Sequence, residues 1–144
     1  MKIKDMMTDR VIRVAPEENV EVAARTLAQY NLGALPVCTS GGKLCGMVTD
    51  RDLVIRCMAA GKVPGKTRVQ DVMTTAVVSV QPDMEAGVAA HLMGSRQVRR
   101  LPVTKEGSLV GMVSLADLAA REENIMDAAD ALQDISSQIV PENR

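Results

Sequence analysis

One stretch occurs twice in the chain and decides its fold: Gly46-Met47-Val48-Thr49-Asp50-Arg51-Asp52-Leu53 and Gly111-Met112-Val113-Ser114-Leu115-Ala116-Asp117-Leu118. In each copy a short apolar run is followed by a hydroxyl residue, and a carboxylate comes three residues after the hydroxyl. This pattern predicts a buried strand that passes directly into a helix. At a helix start, a hydroxyl and a carboxylate lie beside free backbone N–H groups, which can hold a phosphate and a ribose.

The same spacing has a purely structural explanation. Thr49-x-x-Asp52 and Ser114-x-x-Asp117 also match a capping box, in which the carboxylate returns to the backbone N–H at the N-cap. A cap needs no ligand and contributes about 1 kcal/mol to stability. The spacing by itself favours the cap, so ligand contact depends on the rest of the chain.

The duplication extends beyond this stretch. Asp5-Met6-Met7-Thr8 matches Asp71-Val72-Met73-Thr74, and Leu35-Pro36-Val37 matches Leu101-Pro102-Val103, each at a separation of 66 residues. Unrelated sequence would not keep such runs in the same order, so the chain is a tandem repeat. We expect a first copy over residues 1–60, a linker over 61–68, a second copy over 69–122 and a tail over 123–144.

Each copy reads as strand, helix, strand, strand, helix. In the first copy, Val11–Val14 predicts a short strand and Pro16-Glu17-Glu18 predicts a helix entry with acidic residues in the first turn. Asn31-Leu32-Gly33 is expected to end that helix, with Gly33 in the C-cap region. A hairpin follows, with Leu35–Cys38 and Leu44–Val48 as its strands. From Asp50 a helix is expected to place one set of apolar side chains on one side: Leu53, Val54, Cys57 and Met58.

The tail matches neither copy. It carries an apolar stripe at helical spacing, made of Ile125, Ala128, Ala129, Leu132, Ile135 and Ile139. This helix needs a surface to cover. That surface is either its own module, which we favour, or a second chain.

Composition excludes several classes of function. The 144 residues are 47% hydrophobic and carry a formal net charge of −1, so no global basic field attracts nucleic acid or anionic lipid. Tyr30 is the single aromatic residue, which argues against a stacking platform for bases. No apolar run has the length of a membrane span, and the N-terminus lacks the apolar core of a signal peptide. We therefore expect a cytoplasmic protein that binds neither membranes nor nucleic acid.

The remaining motifs point away from an enzyme or a metal centre. Cys38, Cys45 and Cys57 lack CxxC spacing, so small buried thiols are the default, although Cys38 and Cys45 flank a hairpin turn. His91 has no nucleophile or carboxylate partner by spacing. Residues 60–67 imitate a phosphate-binding loop, but Ala60 stands where glycine is needed and Pro64 removes a backbone N–H. We expect no catalytic residue and no metal ligand.

With these residues in place, the duplicated Met-Thr…Pro…Leu-Pro-Val…Gly-Met-Val-[Thr/Ser]-x-x-Asp pattern resembles a pair of CBS domains, the Bateman module. The resemblance covers residues 1 to about 122 and is similar to stand-alone bacterial two-repeat proteins, including hypoxic-response types. It implies an α/β (α+β) fold of two βαββα repeats, packed through their sheets with pseudo-two-fold symmetry. The C-terminal helix is additional to this plan. Family members often bind adenosine compounds in clefts between the repeats and often form homodimers.

The resemblance also implies site residues. Asp52 and Asp117 match the position that bonds ribose hydroxyls, and Thr49 and Ser114 match the hydroxyl that meets phosphate. Two segments match those whose backbone lines the adenine and ribose: Leu32-Gly33 and Val98-Arg99. Arg99-Arg100 matches a basic pair that faces phosphates in some members, with a solvated turn as the alternative. Arg51 either binds a phosphate or pairs with a nearby acid on the helix surface. Because the first copy has Gly33-Ala34 where the second has Arg99-Arg100, the two clefts are expected to differ in charge.

Two functions follow from the resemblance. The first is a regulatory module that senses AMP, ADP, ATP or a similar adenosine nucleotide and passes the change to its own dimer or to an unknown regulated protein. The second is a ligand-free interaction module with vestigial clefts. No cofactor is required in either, and the sequence does not choose among the adenosine compounds.

Overall fold

The computed structural model describes residues 1–137, apart from the side chain of Glu122. The chain forms two compact units. Unit 1 contains Met1–Val11, Val78–Lys105 and the residues from Val110 onward, and unit 2 contains Ile12–Val77 and Glu106–Leu109. Each unit therefore combines segments from both sequence copies. Ile139 of the expected apolar stripe lies outside the described residues.

Unit 2 holds most of the first copy. Helix α1 is Val20–Tyr30, and strands β1 (Ala34–Cys38) and β2 (Leu44–Thr49) form an antiparallel hairpin. Helix α2 (Asp50–Asp52) follows β2 directly and continues as a π-helical turn over Leu53–Met58. Short 3-10 turns follow at Pro64–Lys66 and Val69–Asp71.

Unit 1 repeats this plan with the second copy. Helix α3 is Ala86–Arg96, strands β3 (Arg100–Lys105) and β4 (Ser108–Ser114) pair in a sheet, and helix α4 is Leu115–Ala119. A 3-10 turn at Glu122–Asn124 leads into the C-terminal helix α5 (Ile125–Ser136). The mixed helix and strand architecture with two small sheets and a C-terminal helix is as predicted.

The first strand of each copy is shorter than expected. Val14 makes a single parallel bridge to Val37, and Val80 makes the matching bridge to Val103. The predicted strand Val11–Val14 is thus reduced to one paired residue. The backbone N–H and C=O of Val14 are nevertheless both hydrogen-bonded, because Val14 N–H donates to Pro36 O and Cys38 N–H donates to Val14 O.

The beginning of each copy pairs with the other copy. In unit 2, Met47 and Thr74 exchange backbone hydrogen bonds of 2.9 and 2.8 Å. In unit 1, Thr8 and Met112 do the same at 2.8 and 2.9 Å. The Met-Thr segment that opens one copy therefore forms the outer partner of the glycine-containing strand of the other.

Each hydrophobic core also combines residues from both copies. The core of unit 2 contains Val69 and Val72 from the start of the second copy, together with Val14, Val20, Ala23, Leu27, Leu35, Val37, Val48 and Cys57. The core of unit 1 contains Ile3 and Met6 from the start of the first copy, packed with residues of the second copy and with Ala128 and Ala131 of α5. In the part of the chain that the structure describes, α5 thus covers its own module.

Two local predictions were wrong. Helix α1 begins at Val20 and not at Pro16, because Asn19 is its N-cap and accepts from Val22 N–H at 2.9 Å. Its C-cap is Asn31, which has a left-handed φ of 53° that asparagine tolerates and lies within the predicted helix end. After α2, the wider π-helical turn breaks the expected apolar side: Cys57 is buried, whereas Val54 and Met58 are exposed.

Candidate functional site

Both duplicated hydroxyl–carboxylate pairs form capping boxes. Thr49 N–H donates to Asp52 Oδ2 at 3.0 Å, and Asp52 N–H donates to Thr49 Oγ1 at 3.0 Å. In the second copy the corresponding distances for Ser114 and Asp117 are 2.8 and 3.1 Å. The structural explanation of the spacing is confirmed at both helix starts. The ribose and phosphate roles of these four residues stay predictions.

The two carboxylates have different surroundings. Asp52 is buried, accepts a further hydrogen bond from the Thr74 hydroxyl and has Arg56 Nε 3.8 Å from Oδ1. Asp117 is only partly buried, and no described hydroxyl contacts it as Thr74 contacts Asp52. Asp117 therefore keeps more of its acceptor capacity for another partner.

Unit 1 contains a cavity of about 600 Å³ beside the start of α4. We call it the unit 1 cavity. Its polar lining consists of Arg99, Arg100 and Ser114. Its apolar lining comes from α4 and from α5: Leu115, Ala116, Ala119, Ile125, Ala128, Ala129 and Leu132. A backbone hydrogen bond joins two of the lining residues, since Leu115 N–H donates to Arg99 O at 2.7 Å.

The lining of the unit 1 cavity suits a ligand that is anionic at one end and apolar at the other. Two guanidinium groups offer planar sets of donors that match a phosphate or carboxylate bidentately. Ser114 adds a hydroxyl, although it is also engaged in its cap. The volume lies within the roughly 300–1,000 Å³ typical of small-molecule sites. The cavity can therefore accommodate a compound of nucleotide size.

Only part of the predicted residue set meets at this cavity. Arg99, Arg100 and Ser114 line it, whereas Val98 and Asp117 are neighbours that do not. The remaining predicted residues belong to unit 2: Leu32, Gly33, Thr49, Arg51 and Asp52. There Asp50 N–H donates to Gly33 O at 3.1 Å, which corresponds to the Leu115–Arg99 bond.

The matching positions of the two units carry different charge. Unit 1 has Arg99-Arg100 at the start of β3 and Leu115-Ala116 at the start of α4. Unit 2 has Gly33-Ala34 at the start of β1 and Asp50-Arg51 at the start of α2. An anion therefore meets two cations and no carboxylate among the residues that line the unit 1 cavity.

Sequence reasoning missed the contribution of α5 to the cavity. Ile125, Ala128, Ala129 and Leu132 belong to the predicted apolar stripe, but nothing in the sequence connects that stripe with the serine and arginines of the second copy. The stripe signals only that α5 must cover a surface. Its position beside Arg99 and Ser114 is a result of tertiary packing.

The cysteines form no metal centre in the described structure. All three are free thiols, and Cys45 Sγ donates to Val37 O at 3.3 Å. Burial raises the pKa of Cys38 and of Cys45, and Arg13 only partly offsets this for Cys38. Among residues 1–137, no three His, Cys, Asp or Glu side chains are grouped closely enough to hold a metal ion.

Within the described residues, no helix is both long enough and apolar enough to cross a bilayer.

Sequence comparison connects both copies with one family. The family model of the CBS domain matches residues 3–58 and 69–124. The CBS domain-containing protein YhcV of Bacillus subtilis is 43% identical over 136 residues, which is 94% of this chain and 96% of that protein. Hypoxic response protein 1 of Mycobacterium tuberculosis is 35% identical over 116 residues, or 81% of each chain.

Structure comparison gives the same result. The crystal structure of Hypoxic Response Protein I, which has two coordinated zinc ions, matches with a TM-score of 0.78 and 34% identity over 84% of this chain and 98% of that one. A CBS domain pair in complex with 5-methylthioadenosine and S-adenosyl-L-methionine matches with a TM-score of 0.73 over 83% of this chain and 94% of that one. At 24% identity, the latter likeness shows the fold alone.

Proposed function

Because this chain belongs to the CBS-domain family and carries two copies of the domain, we propose that it is a regulatory module that senses an adenosine-containing nucleotide. The observation that carries the proposal is the unit 1 cavity, where Arg99, Arg100 and Ser114 face the apolar residues of α4 and α5. The phosphates of AMP, ADP or ATP suit the arginines, and the purine suits the apolar lining. A CBS pair of the same fold that binds adenosine compounds is consistent with this assignment.

The module acts by binding and not by catalysis. Ligand binding shifts an equilibrium between conformations, and a partner responds to that shift. We place this role in the cytoplasm, with no cofactor required and with no catalytic residue. The change passes to the dimer of this chain or to a regulated protein.

A homodimer is part of the proposal. The π-helical turn of unit 2 leaves Val54, Ile55 and Met58 exposed by 49%, 51% and 71%. A cluster of exposed apolar side chains marks an interaction surface. We expect light scattering at micromolar concentration to give a dimer mass, and Ile55→Asp to lower it towards the monomer. A monomeric parent protein would contradict the dimer and leave the ligand proposal intact.

One observation favours the ligand-free interaction module as the alternative. Asp52 is already occupied by Thr49, by Thr74 and, more distantly, by Arg56. A ribose would have to compete with these partners. Unit 2 is therefore the weaker candidate for nucleotide binding, and a protein that binds no nucleotide in either unit would serve as a scaffold.

Thermal melting with AMP, ADP, ATP, S-adenosylmethionine and NAD, each added separately, tests the proposal. A compound present at about 100 times its Kd adds roughly 2.7 kcal/mol to the free energy of unfolding, which raises Tm by several degrees. The double variant Arg99→Gln/Arg100→Gln should remove that shift. Arg25→Gln, on the exposed surface of α1, is the matched control and should keep it. No shift with any compound would favour the scaffold.

A further inference from the structure

Helix α5 packs on unit 1 through two buried alanines and through Ile135, which is partly buried against the same core. Ala128 and Ala131 are 4% and 3% exposed and belong to the core of the unit. A Cβ at Gly94 of α3 would lie only 3.3 Å from Ala131 Cα, so the two helices approach closely. Gln97 Nε2, at the end of α3, donates to Asp134 O at 3.1 Å. Contacts between small residues and one side-chain hydrogen bond thus hold α5 against α3.

Two large apolar side chains of α5 lie at the cavity. Ile125 and Leu132 line the unit 1 cavity and are 49% and 44% exposed. They occur at helical spacing with Ala128 and Ala129, so one face of α5 forms a wall of the cavity. Helix α4 contributes further apolar lining residues, and the arginines and Ser114 complete the lining. A compound in the cavity would bury Ile125 and Leu132 more deeply than α5 packing alone does.

We propose that α5 is the ligand-responsive element of this site: a nucleotide bound by Arg99 and Arg100 rests its purine on Ile125 and Leu132 and thereby holds α5 against α3 and α4. This inference rests on the proposed nucleotide-binding function. Nucleotide binding and the docking of α5 are thermodynamically linked. If nucleotide binding stabilises docked α5 by a given factor, a change that releases α5 must weaken nucleotide binding by the same factor. The docking of α5 is then the signal that a partner protein detects.

Two pairs of variants distinguish the docking of α5 on α3 from direct contact between α5 and the nucleotide. Ala131→Lys places a charge in the α3–α5 contact, and Gln133→Lys adds the same charge on an exposed position of the same helix. Leu132→Ser removes apolar surface from the cavity wall while α5 stays docked. Its matched control is Met126→Ser, at a side chain that is 74% exposed and does not line the cavity.

The experiment is isothermal titration of the full-length parent and the four variants with AMP, ADP and ATP, each tested separately. Hydrogen exchange of the α5 amides is measured with and without each nucleotide. We expect binding to slow α5 exchange about tenfold, and Ala131→Lys and Leu132→Ser to weaken binding about tenfold. Gln133→Lys and Met126→Ser should bind within about twofold of the parent.

Circular dichroism and a cooperative melt establish that each variant folds. If Ala131→Lys does not fold, Leu132→Ser still tests the proposal independently. If a nucleotide binds the parent and Leu132→Ser equally and leaves α5 exchange unchanged, the role of α5 is wrong while nucleotide sensing stands. If none of the three nucleotides binds the parent, the proposed function fails, and this inference fails with it.

Discussion

The hydroxyl of Thr74 donates to the carboxylate of Asp52, with O···O distances of 3.3 Å to Oδ2 and 3.4 Å to Oδ1. Thr74 belongs to the segment that opens the second copy, and Asp52 caps the helix that closes the first. The bond adds to the backbone pairing of Thr74 with Met47. The start of the second copy is therefore fixed to the strand-to-helix junction of the first by both main chain and side chain.

Replacement of Thr74 tests this contact. Thr74→Val keeps the side-chain shape and the backbone bridge but removes the hydroxyl, so the buried carboxylate loses a donor. We expect a loss of about 1 kcal/mol in the free energy of unfolding, measured by urea denaturation. The control is Thr8→Val at the matching, exposed position of unit 1, where we expect a smaller loss. Equal losses would mean that the Asp52 contact adds no stability.

Substitution of Gly46 and Gly111 tests the pairing between the copies. A Cβ at Gly46 would lie 2.9 Å from Thr74 O and 2.6 Å from Met73 Sδ, and one at Gly111 would lie at the same distances from Thr8 O and Met7 Sδ. Because a backbone oxygen cannot move away as a side chain can, Gly46→Ala and Gly111→Ala should each cost about 1–3 kcal/mol and lower Tm by several degrees.

Gly41 provides the control for these substitutions. A Cβ there would meet nothing nearer than Thr39 Oγ1 at 4.0 Å, so Gly41→Ala should leave Tm nearly unchanged. If Gly46→Ala melted like Gly41→Ala, the close approach of the Met73–Thr74 segment would be contradicted.

The two capping carboxylates should differ in their effect on stability. Asp117→Ala removes a cap and should cost about 1 kcal/mol. Asp52→Ala removes a cap and the Thr74 contact of a buried group, so we expect about 2 kcal/mol. Thermal or urea unfolding measures both, with Asp130→Ala on the exposed surface of α5 as a control. A larger effect at Asp117 would contradict the difference in environment.

Asp52→Ala and Asp117→Ala should remain folded, so the nucleotide binding of both variants can also be titrated. If Asp117 contacts a ribose, Asp117→Ala should weaken binding beyond what its small loss of stability explains. Parent-like binding by both Asp52→Ala and Asp117→Ala would remove the ribose assignment and leave the carboxylates with a capping role alone.

The cysteines of the first hairpin should react slowly in the folded protein. Burial raises the pKa of Cys38 and Cys45 above the ordinary value of 9.0, so the folded state keeps both protonated where the unfolded chain begins to ionise. Iodoacetamide at pH 8.5, followed by mass spectrometry, should modify them far more slowly in buffer than in urea. Equal rates would contradict their burial.

The same shifts determine the pH dependence of stability. The unfolded state binds fewer protons than the folded state once the pH exceeds the unfolded pKa of about 9. The contribution of the two thiols is therefore fully present below pH 9 and is lost as the pH rises through their folded pKa values. The double variant Cys38→Ala/Cys45→Ala should show a smaller alkaline loss of stability in urea titrations between pH 8 and 10.5.

Sequence patterns located most elements but not all their ends. The hairpin strands and the switch from strand to helix at Thr49 and Ser114 follow from local periodicity and capping chemistry. The start of α1 was missed because Asn19 is a better cap than the acidic entry after Pro16. The π-helical turn was missed because its residues have ordinary helical spacing in the sequence, while backbone packing against the core decides which of them is buried.

By itself, the sequence determined the duplication, the CBS family and the capping boxes at Thr49 and Ser114, because each depends on residues close together in the chain or on matched runs between the copies. Tertiary structure alone decided that Met73-Thr74 pairs with Gly46-Met47 and that Met7-Thr8 pairs with Gly111-Met112. Since the two copies carry the same pattern, a Met-Thr segment has two chemically similar strands available, and only packing of the whole chain selects one. The same holds for α5, whose apolar stripe required a covering surface but did not specify that it would line a cavity with Arg99, Arg100 and Ser114.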